Sequence, residues 1–112
     1  MAIRMTKPWT PLTPDTVKKL TGQMGVYQFA DSKGDCVFIG FAGGRSLFGL
    51  RGVVEKALTA PPEGATQFRV EVNQQYTTRY QELLMVHVHD HGDVPAGNKG
   101  KPLPQLGRLS PA

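Results

Sequence analysis

Glu82 stands directly before Leu83-Leu84-Met85-Val86, with Tyr80 and Val88 alongside, so a carboxylate is set in a strongly apolar helical stretch. An isolated buried charge is prohibitively costly. Such a group must be paired, protonated or bound to a metal, and Arg79, three residues earlier, is the obvious structural partner. Arg51 carries a second kind of chemistry, because the five donors of its guanidinium suit a phosphate. Glu55, one turn on, could equally hold it in a surface ion pair. In Phe41-Ala42-Gly43-Gly44-Arg45-Ser46 the glycines leave backbone N–H groups accessible, and Ser46 is placed to cap the next helix. An anion could face that helix start, or the segment is a plain flexible connection. The glycine spacing and the missing Lys-Ser/Thr ending exclude a Walker loop. His87 and His91 lie at i and i+4, a spacing that can hold zinc or nickel. Histidines at a helix C-terminus also favour the dipole without any metal. Cys36 falls in a strand pattern and reads as a small buried hydrophobe rather than a reactive thiol.

These groups lie far apart in the chain, so a sheet with packed helices must bring them together. Val26, Gln28 and Ala30 alternate with Tyr27 and Phe29, and Val37-Phe38-Ile39 resumes the apolar run after Asp31-Ser32-Lys33-Gly34-Asp35. That pattern predicts a β-hairpin, with Gly34 supplying positive φ and Asp31 and Ser32 bonding the turn backbone. Leu47, Leu50, Val53/Val54 and Ala57/Leu58 repeat at three and four, predicting an amphipathic helix over 47–59. Arg51 falls at the border of its apolar stripe. Phe68, Val70 and Val72 alternate with polar partners, predicting a strand with one wet face. A helix apolar nearly all round, hence buried, follows to about His91, opened by Thr77 or Thr78. Near the start, Thr13 can cap a short helix with Pro14 at its first position and Gly22 at its end. The expected fold is α+β: a three-stranded, mainly antiparallel sheet (25–30, 36–40, 67–73) with helices near 14–21, 47–59 and 76–91. Residues 1–12 read as an extended arm with Trp9 packed on the surface, residues 13–99 as the domain, and residues 100–112 as a loosely held tail.

Gly25-Val26-Tyr27, followed eleven positions after Tyr27 by Phe38-Ile39-Gly40, resembles the paired motifs of the GIY-YIG nuclease superfamily. The likeness continues through a glycine-rich loop, a helix bearing Arg51, a third strand, a helix bearing Glu82, and Pro95-Ala96-Gly97-Asn98. It covers roughly residues 13 to 98. The resemblance implies a metal-dependent endonuclease acting on DNA. Tyr27 would orient or deprotonate the attacking water, Arg51 would neutralise charge on the phosphate, and Asn98 would steady the site. Glu82 would hold one divalent cation, Mg²⁺ or Mn²⁺, by its hard oxygen ligand. Phe38, Gly43, Gly44, Arg45 and Lys99 would face the substrate. The chain departs from the family pattern at Phe38, where tyrosine is usual, at Phe41, where a polar residue is common, and at Glu55, where many members have histidine. The alternative is a non-catalytic nucleic-acid-binding or protein-interaction module that retains the fold. A metal-binding protein using His87 and His91 is a third.

The bulk numbers fit one small domain. There are 112 residues, 39% hydrophobic and 20% charged, with a single cysteine and a formal net charge of +4. No apolar run reaches the length of a membrane span, and the start of the chain lacks a signal peptide's apolar region, so the expected location is the cytoplasm, away from membranes. Residues 1–24 and 95–112 each carry +3, whereas 25–94 carries −2. The positive flanks could grip phosphates or serve solubility alone.

Overall fold

The computed structural model describes residues 4–44, 48–101 and 103. Four antiparallel strands form one sheet: β1 (Thr10–Pro11), β2 (Gly25–Ala30), β3 (Cys36–Ala42) and β4 (Gln67–Val72), in spatial order β1-β4-β2-β3. The β2–β3 hairpin forms as its residues dictate. Asp31 Oδ1 accepts from the Lys33 and Asp35 backbone N–H groups, both at 3.0 Å, and Gly34 takes φ 85°. The expected three strands become four, because residues 10–11 of the arm pair with Gln67 and Phe68. The arm is part of the domain: Met5 is buried in the core, and Trp9 lies 4.0 Å from the Arg69 guanidinium as a cation–π pair. Strand β3 also runs two residues further than expected, taking Phe41 and Ala42 out of the loop.

Side chains alternate across the sheet and fill two separate cores. On one face Phe29, Val37 and Phe68 pack with Val54 and Ala57 of α2 (Gly49–Thr59) and Val17 of α1 (Pro14–Val17). On the other, Val26 and Ile39 pack with Leu83 and Leu84 of α3 (Tyr76–His91), with Met5 and Val94 closing the ends. The result is three layers, with α1 and α2 on one side of the sheet and α3 on the other. The polar side chains of β4 are therefore not on a wet face: Gln67, Arg69 and Glu71 are half-buried, while Val72 is exposed.

The helices differ from expectation at their ends. Helix α1 carries the expected Thr13 cap, reinforced by Thr16, but stops at Val17 after one turn. Helix α2 starts at Gly49 behind Phe48, which holds a left-handed φ of 63° and makes no side-chain cap bond. Ser46 and Leu47, expected at this helix start, lie outside the described residues. Gly49 is required here: at φ 57° an added Cβ would meet the Gly22 carbonyl oxygen at 2.3 Å. Helix α3 opens at Tyr76, one residue before Thr77, with Asn73 Oδ1 accepting from the Gln75 N–H at 2.8 Å. Among the described residues, no helix is long and apolar enough to cross a membrane.

Candidate active site

Tyr27 pairs with Gly40 across β2 and β3, so the two three-residue motifs face each other in the hairpin. Its ring packs edge-on to Phe29 at 5.3 Å and tilted to Phe38 at 6.0 Å. A Cβ on Gly40 would sit 2.4 Å from the Tyr27 Cζ and hydroxyl, so only glycine lets the phenol lie across β3. The hydroxyl takes no hydrogen bond among the described residues, yet its oxygen keeps access to solvent. Burial, and secondarily the Tyr80 phenol, push its pKa up to about 12. At neutral pH Tyr27 is therefore a neutral hydroxyl that can give and accept a hydrogen bond. It is poorly matched to deprotonating water, because a general base works best with a pKa near the operating pH. Gly40→Ala should displace the Tyr27 ring at a cost of about 1–3 kcal/mol. A denaturant midpoint matching the unsubstituted protein's would contradict that packing.

Asn98 is fully buried and clamps the same strand. Its Oδ1 accepts from the Ile39 N–H and its Nδ2 donates to the Ile39 carbonyl, both at 2.9 Å. This satisfies the backbone of an edge strand at the centre of the Phe38-Ile39-Gly40 motif. The turn carrying Asn98 approaches closely through Gly97, where a Cβ would lie 2.6 Å from the Val37 carbonyl oxygen. Lys99 next to it is exposed and pairs with Asp93 at 3.3 Å.

Arg51 projects from α2, on the Tyr27 side of the sheet. Its Nε lies 2.9 Å from Glu55 Oε1, with both side chains 46% exposed. The surface ion pair is therefore formed, and the two Nη groups make no hydrogen bond or ion pair among the described residues. The start of α2 does not face an anion as the glycine loop suggested. The Leu50 and Arg51 N–H groups donate to the Gln23 and Thr21 carbonyls at 2.9 and 3.3 Å. Gly43 lies against the Tyr76 ring, and Gly44 is open on its Cα side. Arg45 lies outside the described residues. Phe41 stacks on Tyr76 at 5.6 Å and 15° and meets Tyr80 at 5.0 Å, forming a partly exposed aromatic surface at the same end of β3. Tyr76 and Tyr80, at i and i+4, were the signal for this cluster in the sequence.

Glu82 is not the buried charge its neighbours implied. Its side chain is 39% exposed, and its Oε1 accepts from Arg79 Nη1 at 3.3 Å. Arg79 is the buried member, and its principal partner is Glu71 of β4, held at 2.8 and 3.2 Å. Burial alone would raise the Glu71 carboxyl pKa, but hydrogen bonds from Arg79 and Asn73 outweigh it and hold the carboxyl below its ordinary value. Tyr27 and Arg51 thus belong to one face of the sheet and Glu82 to the helix on the other, and no hydrogen bond joins the three.

His87 and His91 stand with ring centroids 4.4 Å apart beside a cavity of about 410 Å³ that Cys36 also lines. His87 Nδ1 lies 2.7 Å from the Asp93 carbonyl oxygen and so donates to it, leaving Nε2 as the acceptor. Burial, and secondarily the facing His91, set the His87 pKa below its ordinary value, against the opposing bond to the Asp93 carbonyl. Among the described residues no group of three or more His, Cys, Asp or Glu side chains could hold a metal ion. Cys36 is half-buried, and burial pushes its thiol to about 11. Alkylation by iodoacetamide at pH 8 should therefore run about 10²-fold slower than for an unperturbed thiol of pKa about 8.5. Labelling at the rate of free cysteine would contradict this.

No curated protein matches the chain. A model of a family described as a domain of unknown function (DUF7508) matches residues 3–90, a span that holds Tyr27, Arg51 and Glu82, and the chain belongs to that family.

Proposed function

We propose that the protein is a metal-dependent endonuclease of the GIY-YIG kind, hydrolysing DNA phosphodiesters around the end of β3. The observation that carries this reading is the Tyr27–Gly40 pairing, which leaves a solvent-accessible hydroxyl, without a protein partner among the described residues, lying over the glycine of the second motif. Tyr27 orients the attacking water as a neutral phenol. Arg51 offers its two Nη groups to the phosphate. Its pairing with Glu55 is exposed and worth only about 0.3–0.5 kcal/mol, so a phosphate can compete for the guanidinium. Asn98 holds the strand that Tyr27 crosses, and the Phe41–Tyr76 stack offers an aromatic surface to a base.

Glu82 fits the proposed cation in one specific sense. Its Oε2 makes no bond among the described residues and the side chain reaches solvent. Mg²⁺ is commonly held by one or two carboxylates, substrate phosphate and several waters, and one such carboxylate is available. When bound, Mg²⁺ or Mn²⁺ would neutralise charge on the phosphate and the leaving oxygen.

A second reading is favoured by the formed Arg51–Glu55 pair and by phenylalanine at positions 38 and 41. In it the chain binds nucleic acid without cleaving it. Incubating supercoiled plasmid with the protein and Mg²⁺ or Mn²⁺, with parallel binding to labelled duplex, separates the two. Nicking that stops on chelation supports the nuclease; salt-sensitive binding with intact plasmid across both metals supports the binding module.

A further inference from the structure

At the opposite edge of the sheet from β3, a cavity of about 440 Å³ opens between the arm, α1 and β4. Leu20, Phe68 and Val70 give it an apolar floor, and Lys7 and Lys19 stand at it with no ion pair among the described residues. No acidic side chain lines it. The acid whose titration Lys7 influences, Glu71, is already held by Arg79 through two bonds. The volume falls within the range of small-molecule sites, about 300–1,000 Å³, which pair an apolar lining with a few polar groups that fix orientation.

The wall of this cavity is built and held in place. Arg69 of β4 lines it, with its half-buried side chain on the sheet face opposite Phe68 and Val70, beside Gln28. Its guanidinium donates to Gln28 Oε1 at 2.7 Å and to the Lys7 carbonyl at 3.0 Å, and it stacks on Trp9. Those contacts fasten residues 7–9 beside β4, and the Thr10–Phe68 pairing fixes the next residue. Two cationic side chains, Lys7 and Lys19, thus stand beside an apolar floor.

We infer that this cavity binds a small amphipathic organic anion, with an aromatic or aliphatic body on Leu20, Phe68 and Val70 and one acidic headgroup between Lys7 and Lys19. The site is independent of the nuclease reading, because it shares no residue with Tyr27, Arg51, Glu82 or Asn98 and lies at the other sheet edge. Neither charge nor apolar surface suffices alone. A bare inorganic anion leaves the floor wet, and a neutral hydrocarbon leaves the cations unanswered.

The test uses 8-anilinonaphthalene-1-sulfonate as the probe on the full chain. Saturable binding with one site per chain is expected, weakened about tenfold in the Lys7→Gln/Lys19→Gln double variant. The same substitutions at Lys33 and Lys56 remove equal charge elsewhere and should change affinity less than about twofold, as expected for screened distant charges. The neutral analogue N-phenyl-1-naphthylamine should bind both double variants alike. Octanoate should displace the sulfonate probe, whereas inorganic phosphate at the same concentration should not. Absence of probe binding, equal weakening by both double variants, or displacement by phosphate and not octanoate would each overturn the proposal. Both lysine pairs are exposed, so circular dichroism should show the variants folded.

Discussion

Asn98→Ala should lower stability by about 2–4 kcal/mol, because it strips the partners from both backbone groups of Ile39, and each buried group left unsatisfied costs about 1–3 kcal/mol. Ile39 is fully buried, so water cannot replace the amide without entering the core beside Leu83 and Leu84. Asn98→Asp sharpens the test. It keeps an acceptor for the Ile39 N–H but turns a second oxygen toward the Ile39 carbonyl, which only a protonated carboxyl can satisfy. Burial and the facing carbonyl raise the folded pKa of that carboxyl above its unfolded value, about 3.9. The folded state then binds more protons, so this variant should be most stable at low pH and lose stability as pH rises above about 4. Denaturant unfolding across pH 3–7 measures both effects. An Asn98→Ala midpoint near that of the unsubstituted protein would show that the clamp contributes little.

Arg79→Ala should be about as damaging, at about 2–4 kcal/mol. Breaking a buried pair typically costs about 3–5 kcal/mol, and the partial exposure of Glu71 reduces that figure. Glu82→Ala should cost less than about 1 kcal/mol, since its single contact is long and its side chain reaches solvent. The Arg79 contribution is also pH-dependent. Glu71 has a folded pKa below its ordinary value of 4.5, so the pair's stabilisation is present above pH 4.5 and is lost as pH falls through the folded pKa. If Glu82→Ala proved the more destabilising of the two, the carboxylate would be structural and unsuited to a metal.

The parts of this fold legible in the sequence were those governed by local periodicity and turn chemistry. Alternation from Gly25 to Ala30 and the Asp31–Gly34 loop specify the hairpin, and the apolar repeat specifies most of α2 and α3. Strand β1 was illegible because two residues, one a proline, carry no period; they pair only because the arm is tied to β4 through Arg69 and Trp9. The start of α2 differs because Ser46 has the residue type of a cap, whereas the helix begins after a left-handed Phe48, and its first N–H groups, on Leu50 and Arg51, donate to the Gln23 and Thr21 carbonyls. The apolar neighbours of Glu82 along the chain suggest a buried charge, yet its side chain is 39% exposed. Burial is set by the helix face, and that face carries Arg79 toward Glu71, a partner on a different element. The Asn98 clamp joins residues 59 apart in the chain, so no spacing could announce it. The Tyr27–Gly40 contact was implicit in the hairpin register.

The central claim is that Glu82 serves chemistry and Arg79 serves the fold, and metal-dependent nicking of supercoiled plasmid by Glu82→Ala measures it most directly. The variant should unfold within about 1 kcal/mol of the unsubstituted protein and yet lose nicking by at least about 10²-fold in Mg²⁺ or Mn²⁺, as expected when a group acting at the reacting phosphate is removed. Nicking retained at full rate by a folded Glu82→Ala protein, or no nicking by the unsubstituted protein in either metal, would contradict it.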